Sequence, residues 1–124
     1  MSLGEYLEME LVEFTKDAAS VRMPVNEKTR QPFGYLHGGA SVALAEQTAS
    51  IAATKHVDTN EIAFGLEINA NHIASVQDGY VLATATPIHI GRTTHVWQVE
   101  IRSEADNKLI AISRCTLAIK QKRS

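Results

Sequence analysis

Over the second half of the chain, apolar and polar residues alternate with a period of two, the mark of strands that bury one face. In 61–73, Ile62, Phe64, Leu66, Ile68 and Ala70 are expected on one face, with Glu67, Asn69 and Asn71 on the other. Asp78-Gly79 is a tight-turn signal leading into a strand over 80–89. Gly91-Arg92 breaks the chain before 93–104, where Trp97, Val99 and Ile101 alternate with Gln98, Glu100 and Arg102. Asp106-Asn107 turns it again into 108–120. Earlier, 3–7 reads as a short helical lead-in, followed by strands over 9–14 and 20–25 around the turn Lys16-Asp17-Ala18-Ala19. Val21, Met23 and Val25 alternate cleanly; the preceding strand loses its pattern near Val12, which predicts a bulge. Residues 26–36 form a loop containing Pro32 and Gly34.

One segment breaks the period of two. Residues 40–55 are small or apolar almost all round, the pattern of a helix wrapped by other structure. Glu46 and Ser50, four apart, share a face, whereas Ser41, Thr48 and Lys55 fall on roughly the opposite side and read as a wet or interfacial line. The expected fold is therefore α+β, a curved antiparallel sheet wrapped around one central helix, with 1–124 as a single domain.

Composition narrows the function. The chain has 124 residues, 44% hydrophobic and 21% charged, which suits a globular domain and argues against disorder. Net charge is −2, and Lys120-Gln-Lys-Arg123 is the one short basic run, read as a solvated tail; neither a nucleic-acid partner nor a membrane is expected. The single Cys115 forms no internal disulfide, sits in an apolar strand as a buried small residue, and fits a reducing, cytoplasmic location.

Candidate chemistry gathers around the helix. His37-Gly38-Gly39 precedes it, so backbone N–H groups of its first turn are expected to be free for an oxygen that gains negative charge. The same glycines also serve simply to turn the chain. Glu46 is either an ordinary exposed glutamate or, with Val42, Ala43 and Ala49 one turn away, a carboxylate held for use as nucleophile or general base. Gln31, His37 and Ser50 can each orient a water or a carbonyl. No metal site is expected, because the five histidines are scattered; His72 and His89 lie at or near strand ends that can face a cleft.

Three stretches carry a family likeness: Gln31-Pro-Phe-Gly-Tyr-Leu-His-Gly-Gly-Ala-Ser-Val-Ala-Leu-Ala-Glu46, Gly65-Leu-Glu-Ile-Asn-Ala-Asn-His72, and Pro87-Ile-His-Ile-Gly91 with Val96-Trp-Gln-Val-Glu-Ile101. With them the chain resembles the hotdog-fold acyl-CoA thioesterases, in the branch of the Arthrobacter-type 4-hydroxybenzoyl-CoA thioesterase. The resemblance implies Glu46 as catalytic carboxylate and Gly38 as the N–H donor to the thioester carbonyl. It places Gln31 and His37 near that carbonyl or the thiolate, Ser50 beside a water, and His72 on the acyl side. It implies a substrate that is an aromatic acyl-CoA, with 1,4-dihydroxy-2-naphthoyl-CoA of menaquinone synthesis leading. It implies no cofactor, coenzyme A being part of the substrate, and a homodimer that assembles into a homotetramer. Phe33 and Tyr35, with Leu36, are candidates for an aromatic slot, and equally for a subunit interface. Arg92, beside Gly91 and close to His89, is either a phosphate contact or a plain surface arginine. The alternatives are a non-catalytic acyl-CoA-binding protein of this fold and a broad-range thioesterase of phenylacetyl- or fatty acyl-CoA.

Overall fold

The computed structural model describes residues 1–122. Its elements run α1 (Leu3–Tyr6), β1 (Glu10–Phe14), β2 (Ala19–Pro24), α2 (Gly38–Ala53), a 3-10 turn (Thr54–His56), β3 (Glu61–His72), β4 (Tyr80–Ile90), β5 (Thr94–Ser103) and β6 (Leu109–Gln121). The strands form one antiparallel sheet in the order β1-β2-β4-β5-β6-β3. Strands β2 to β6 all pack against α2, so the sheet wraps the helix as the pattern predicts. Among the described residues no helix is long and apolar enough to cross a membrane. Of the basic run at 120–123, Lys120 and Gln121 belong to β6, and Arg123 lies outside the described residues.

The helix meets the sheet on small residues. Ala45, Ala49, Ala52 and Ala53 are fully or almost fully buried with Leu44, against Val21, Met23, Val81, Trp97, Val99 and Leu117. Leu44 is the large apolar side chain α2 drives into this layer, and truncating it to alanine would cost about 2–5 kcal/mol. Ser41 and Thr48, expected on a wet or interfacial face, are 3% and 0% exposed and lie on the sheet side. Thr48 tolerates this because its hydroxyl donates to the Leu44 carbonyl at 2.7 Å. The exposed face of α2 is instead the one carrying Gln47, with Glu46 and Ser50 half-buried beside it.

Strand boundaries follow the pattern to within one residue. Ala19 belongs to β2, because the turn closes earlier with Thr15 N–H on the Ala18 carbonyl at 2.8 Å. The bulge expected near Val12 is present: pairing passes from Leu11↔Val21 to Glu13↔Ser20. A second bulge, at Leu66, was not expected; Gly65 pairs with Leu117 and Glu67 with the next residue, Thr116. It slips the phase of β3, so Ala63 and Ile68 pack on the core while Phe64 and Leu66 are 51% and 60% exposed. One continuous alternation through 62–70 therefore placed Phe64 and Leu66 on the wrong face.

On β5 the expected row Trp97, Val99 and Ile101 is buried, and it extends back to His95, which is also wholly buried. His95 Nδ1 accepts from Trp97 Nε1–H at 3.3 Å, and Nε2 has no partner among the described residues. Burial pushes the His95 pKa down, and the nearby His56 and His89 push the same way against a weaker pull from Glu61. The folded state thus disfavours the proton that the unfolded chain accepts near pH 6.5. This contribution to stability is intact above about pH 6.5 and is lost as pH falls below that value. Thermal melting followed from pH 7 to pH 5 should fall less steeply for His95→Gln, which keeps an acceptor for Trp97 and does not titrate.

Candidate active site

The loop before α2 is built around Gln31. Its side-chain carbonyl accepts from the Phe33 and Tyr35 N–H groups, and its own N–H donates to the Tyr35 carbonyl at 2.7 Å. Gly34, at φ +94°, lets the turn close with its N–H on the Gln31 carbonyl at 2.9 Å. With Oε1 engaged by the loop, the Gln31 amide has only its NH₂ donors left to offer.

His37 belongs to the helix more closely than its sequence suggested. It is the N-cap residue, and its Nδ1 accepts from the Gly39 N–H at 2.8 Å. That bond fixes the neutral ring's proton on Nε2, which leaves His37 a donor on its outer side. The His37 carbonyl takes the Ala40 and Ser41 N–H groups at 3.0 and 3.2 Å. Of the first-turn donors expected to be free, only Gly38 N–H lacks a partner among the described residues. His72, at the end of β3, lies against this position: a Cβ added to Gly38 would be 2.9 Å from its Nε2. Gln31, Tyr35, Gly38 and His72 line one crevice of about 460 Å³. It offers a single directed backbone donor, at the positive end of the helix dipole, beside an amide donor and an imidazole.

Glu46 stands in a second crevice, of about 330 Å³, with Ser50, Ala43, Ala63, Phe64 and Leu3. Its carboxylate lies over Gly65, where an added Cβ would collide with Oε2. Sequence reasoning assigned no role to Gly65, although a lone glycine inside a strand pattern is a signal of close approach. Cys115 is no rival nucleophile: burial, with smaller contributions from Glu46 and Glu67, pushes its pKa up to about 12. Among the described residues no three metal-binding side chains converge.

The polar set expected to act together is therefore divided within one chain. Gly38 and Glu46 are eight residues apart on one helix, about 12 Å along its axis and about 80° around it. A third group lies elsewhere. At the β4–β5 turn, His89 sits over Gly91, whose added Cβ would be 2.7 Å from His89 Nε2, and Arg92 is exposed. Through Thr94↔Ala118 and Phe64↔Ala118, this turn is level with the start of β3. His72 is eight residues further along that strand, about 25 Å away. Phe33 is 83% exposed and Tyr35 38%, so neither closes a slot within one protomer.

Comparison with known proteins places this geometry among relatives. The family model described as Thioesterase superfamily matches residues 33–110. The chain is 56% identical to a 1,4-dihydroxy-2-naphthoyl-CoA hydrolase of Listeria monocytogenes, over 99% of both chains. It is 42% identical to the Escherichia coli protein of the same name, over 92% of this chain and 83% of that one. The crystal structure of a Haemophilus influenzae thioesterase superposes with a TM-score of 0.94 at 45% identity, covering 99% of this chain and 85% of the other.

The Gly65 contact can be tested directly. Gly65→Ala should leave the melting temperature unchanged and displace the Glu46 carboxylate. If Glu46 is the group that acts on the thioester, hydrolysis of an acyl-CoA, measured as thiol release, should drop on the order of 100-fold.

Proposed function

Because the chain belongs to the thioesterase superfamily, we propose that it hydrolyses an aromatic acyl-CoA to the free acid and coenzyme A, with 1,4-dihydroxy-2-naphthoyl-CoA as the substrate. Identity over nearly the full length with hydrolases of that name supports the choice of ester. The observation that carries the mechanism is the Gly38 N–H, without a partner among the described residues, at the start of the helix that holds Glu46.

Hydrolysis of a thioester needs a donor for the carbonyl oxygen and a carboxylate or water for the acyl carbon. Gly38 N–H is the oxyanion donor in this reading, with the Gln31 NH₂ beside it. Glu46 acts on the carbon, either attacking it to give a mixed anhydride that water then opens, or taking a proton from an attacking water held with Ser50. The C–S bond breaks and the electron pair leaves on the thiolate, near which the outward Nε2–H of His37 is a donor. His72 lines the acyl side. No cofactor is needed beyond the coenzyme A within the substrate, and we place the reaction in the cytoplasm.

With about 12 Å between them along the helix, Gly38 and Glu46 of one protomer do not serve the same carbonyl. We therefore assign each site to two protomers, with the helix of one facing the loop of the other. The β3 edge, with its outward Phe64 and Leu66, is the surface we assign to this pairing. Phe33 and Tyr35, exposed in one protomer, would be covered there, and two such dimers form the proposed homotetramer.

Thiol release from a panel of CoA esters tests the assignment. The expectation is preference for the naphthoyl ester and a loss of at least about 100-fold in kcat for Glu46→Gln with the fold intact. Tight binding of the esters with no release from any of them would instead make the chain a binding protein. The shared site has its own test. Glu46→Gln and Gln31→Ala subunits, each impaired alone, should recover about a quarter of wild-type activity when unfolded together and reassembled at equal amounts, since half the dimers then carry one intact site.

A further inference from the structure

The N-terminal helix α1 spans only four residues, too short to persist in water unaided, yet it is fastened on every side. Ser2 and Glu5 form a capping box, with bonds of 2.9 and 3.2 Å. Leu7 is buried in the core. Toward the Gln31 loop, Lys28 Nζ donates to the Tyr6 carbonyl at 3.3 Å, pairs with Glu8 at 3.3 Å and lies 5.0 Å from the Tyr6 ring. Toward α2, Gly4 rests on Gln47, where an added Cβ would be 3.0 Å from Nε2.

These fastenings hold one apolar side chain over the Glu46 crevice. Leu3 lines it, 61% exposed, with Ala43, Ala63 and Phe64. An exposed leucine alone is unremarkable. Here it is fixed by a capped, anchored element beside a carboxylate, in a crevice whose other large apolar side chain is Phe64. Gln47, Ser50 and Ala63 also line a larger crevice, of about 490 Å³, that runs on to Val57. The two adjoin along the exposed face of α2, and Leu3 and Ala43 line only the smaller one. An apolar group bonded to a carbon within reach of Glu46 meets Leu3 there.

Resting on the thioesterase reading above, we infer that Leu3 is a specificity-determining residue whose side chain packs against the acyl part of the substrate beside Glu46. The test compares kcat/KM for acetyl-, hexanoyl-, benzoyl- and 1,4-dihydroxy-2-naphthoyl-CoA among wild type, Leu3→Ala and Leu3→Trp. Leu3→Ala should melt as wild type does, keep its activity on acetyl-CoA, and lose roughly 10-fold on the bulky esters. Leu3→Trp should change the ranking of the esters by narrowing the crevice. An active wild type whose ranking both variants reproduce overturns the inference and leaves the thioesterase reading standing. So does an equal rise in KM for every ester, which would put Leu3 on the pantetheine arm they share. A wild type inactive on all four removes both readings.

Discussion

The depth at which α2 sits in the sheet governs most of what surrounds it. Ala45, Ala49, Ala52 and Ala53 put short side chains on most of its buried face, with Leu44 the large exception, so its axis runs close to β2, β4, β5, β6 and β3. Interiors this densely packed do not slide, and a larger residue at any of these positions would force the helix outward. With the axis fixed, the start of the helix falls beside His72 and the Gln31 loop, and the carboxylate two turns later falls over β3. Placement of the Gly38 N–H and the Glu46 carboxylate is thus a by-product of core packing on the opposite side of the same helix.

Electrostatics at the helix start is frugal. A helix leaves several N–H groups unsatisfied at its beginning. Here the His37 ring and carbonyl take those of Gly39, Ala40 and Ser41, and that of Gly38 has no partner among the described residues. A loop that left all of them open would bind any anion; one with a single open donor, flanked by an amide whose oxygen is already engaged, favours a lone acceptor atom approached from one direction. Gln31 and His37 share a logic: each spends its acceptor on its own backbone and keeps a donor facing out.

Much of this was legible in the residues. The alternation of β4, β5 and β6, the apolar helix and the bulge at Val12 all follow from spacing, because a period of two or an all-round apolar run has few other physical meanings. Three features were not legible for identifiable reasons. Imidazole is an uncommon N-cap, so the helix was expected to begin after His37-Gly38-Gly39 rather than at Gly38. Ser41 and Thr48 looked wet because polarity was read as exposure, whereas a threonine hydroxyl can be satisfied by its own helix. The bulge at Leu66 hid in a sequence that alternates without a break, since Leu66 itself is apolar. The division of the site between loop and helix follows from the rise per residue, which spacing on the page does contain, but only once both groups are known to lie on one helix.

A Cβ at Gly65 and the Glu46 carboxylate would claim a single volume, and this makes two positions far apart in the sequence one packing unit. A side chain at 65 must push the Glu46 carboxylate aside, which the flexible end of a glutamate can do only by giving up its place over β3. Aspartate at 46, one methylene shorter, would leave that volume partly empty and free a small residue to appear at 65. The glycine in an edge strand and the acid in the central helix are thus coupled by volume: the size of either sets the room left for the other.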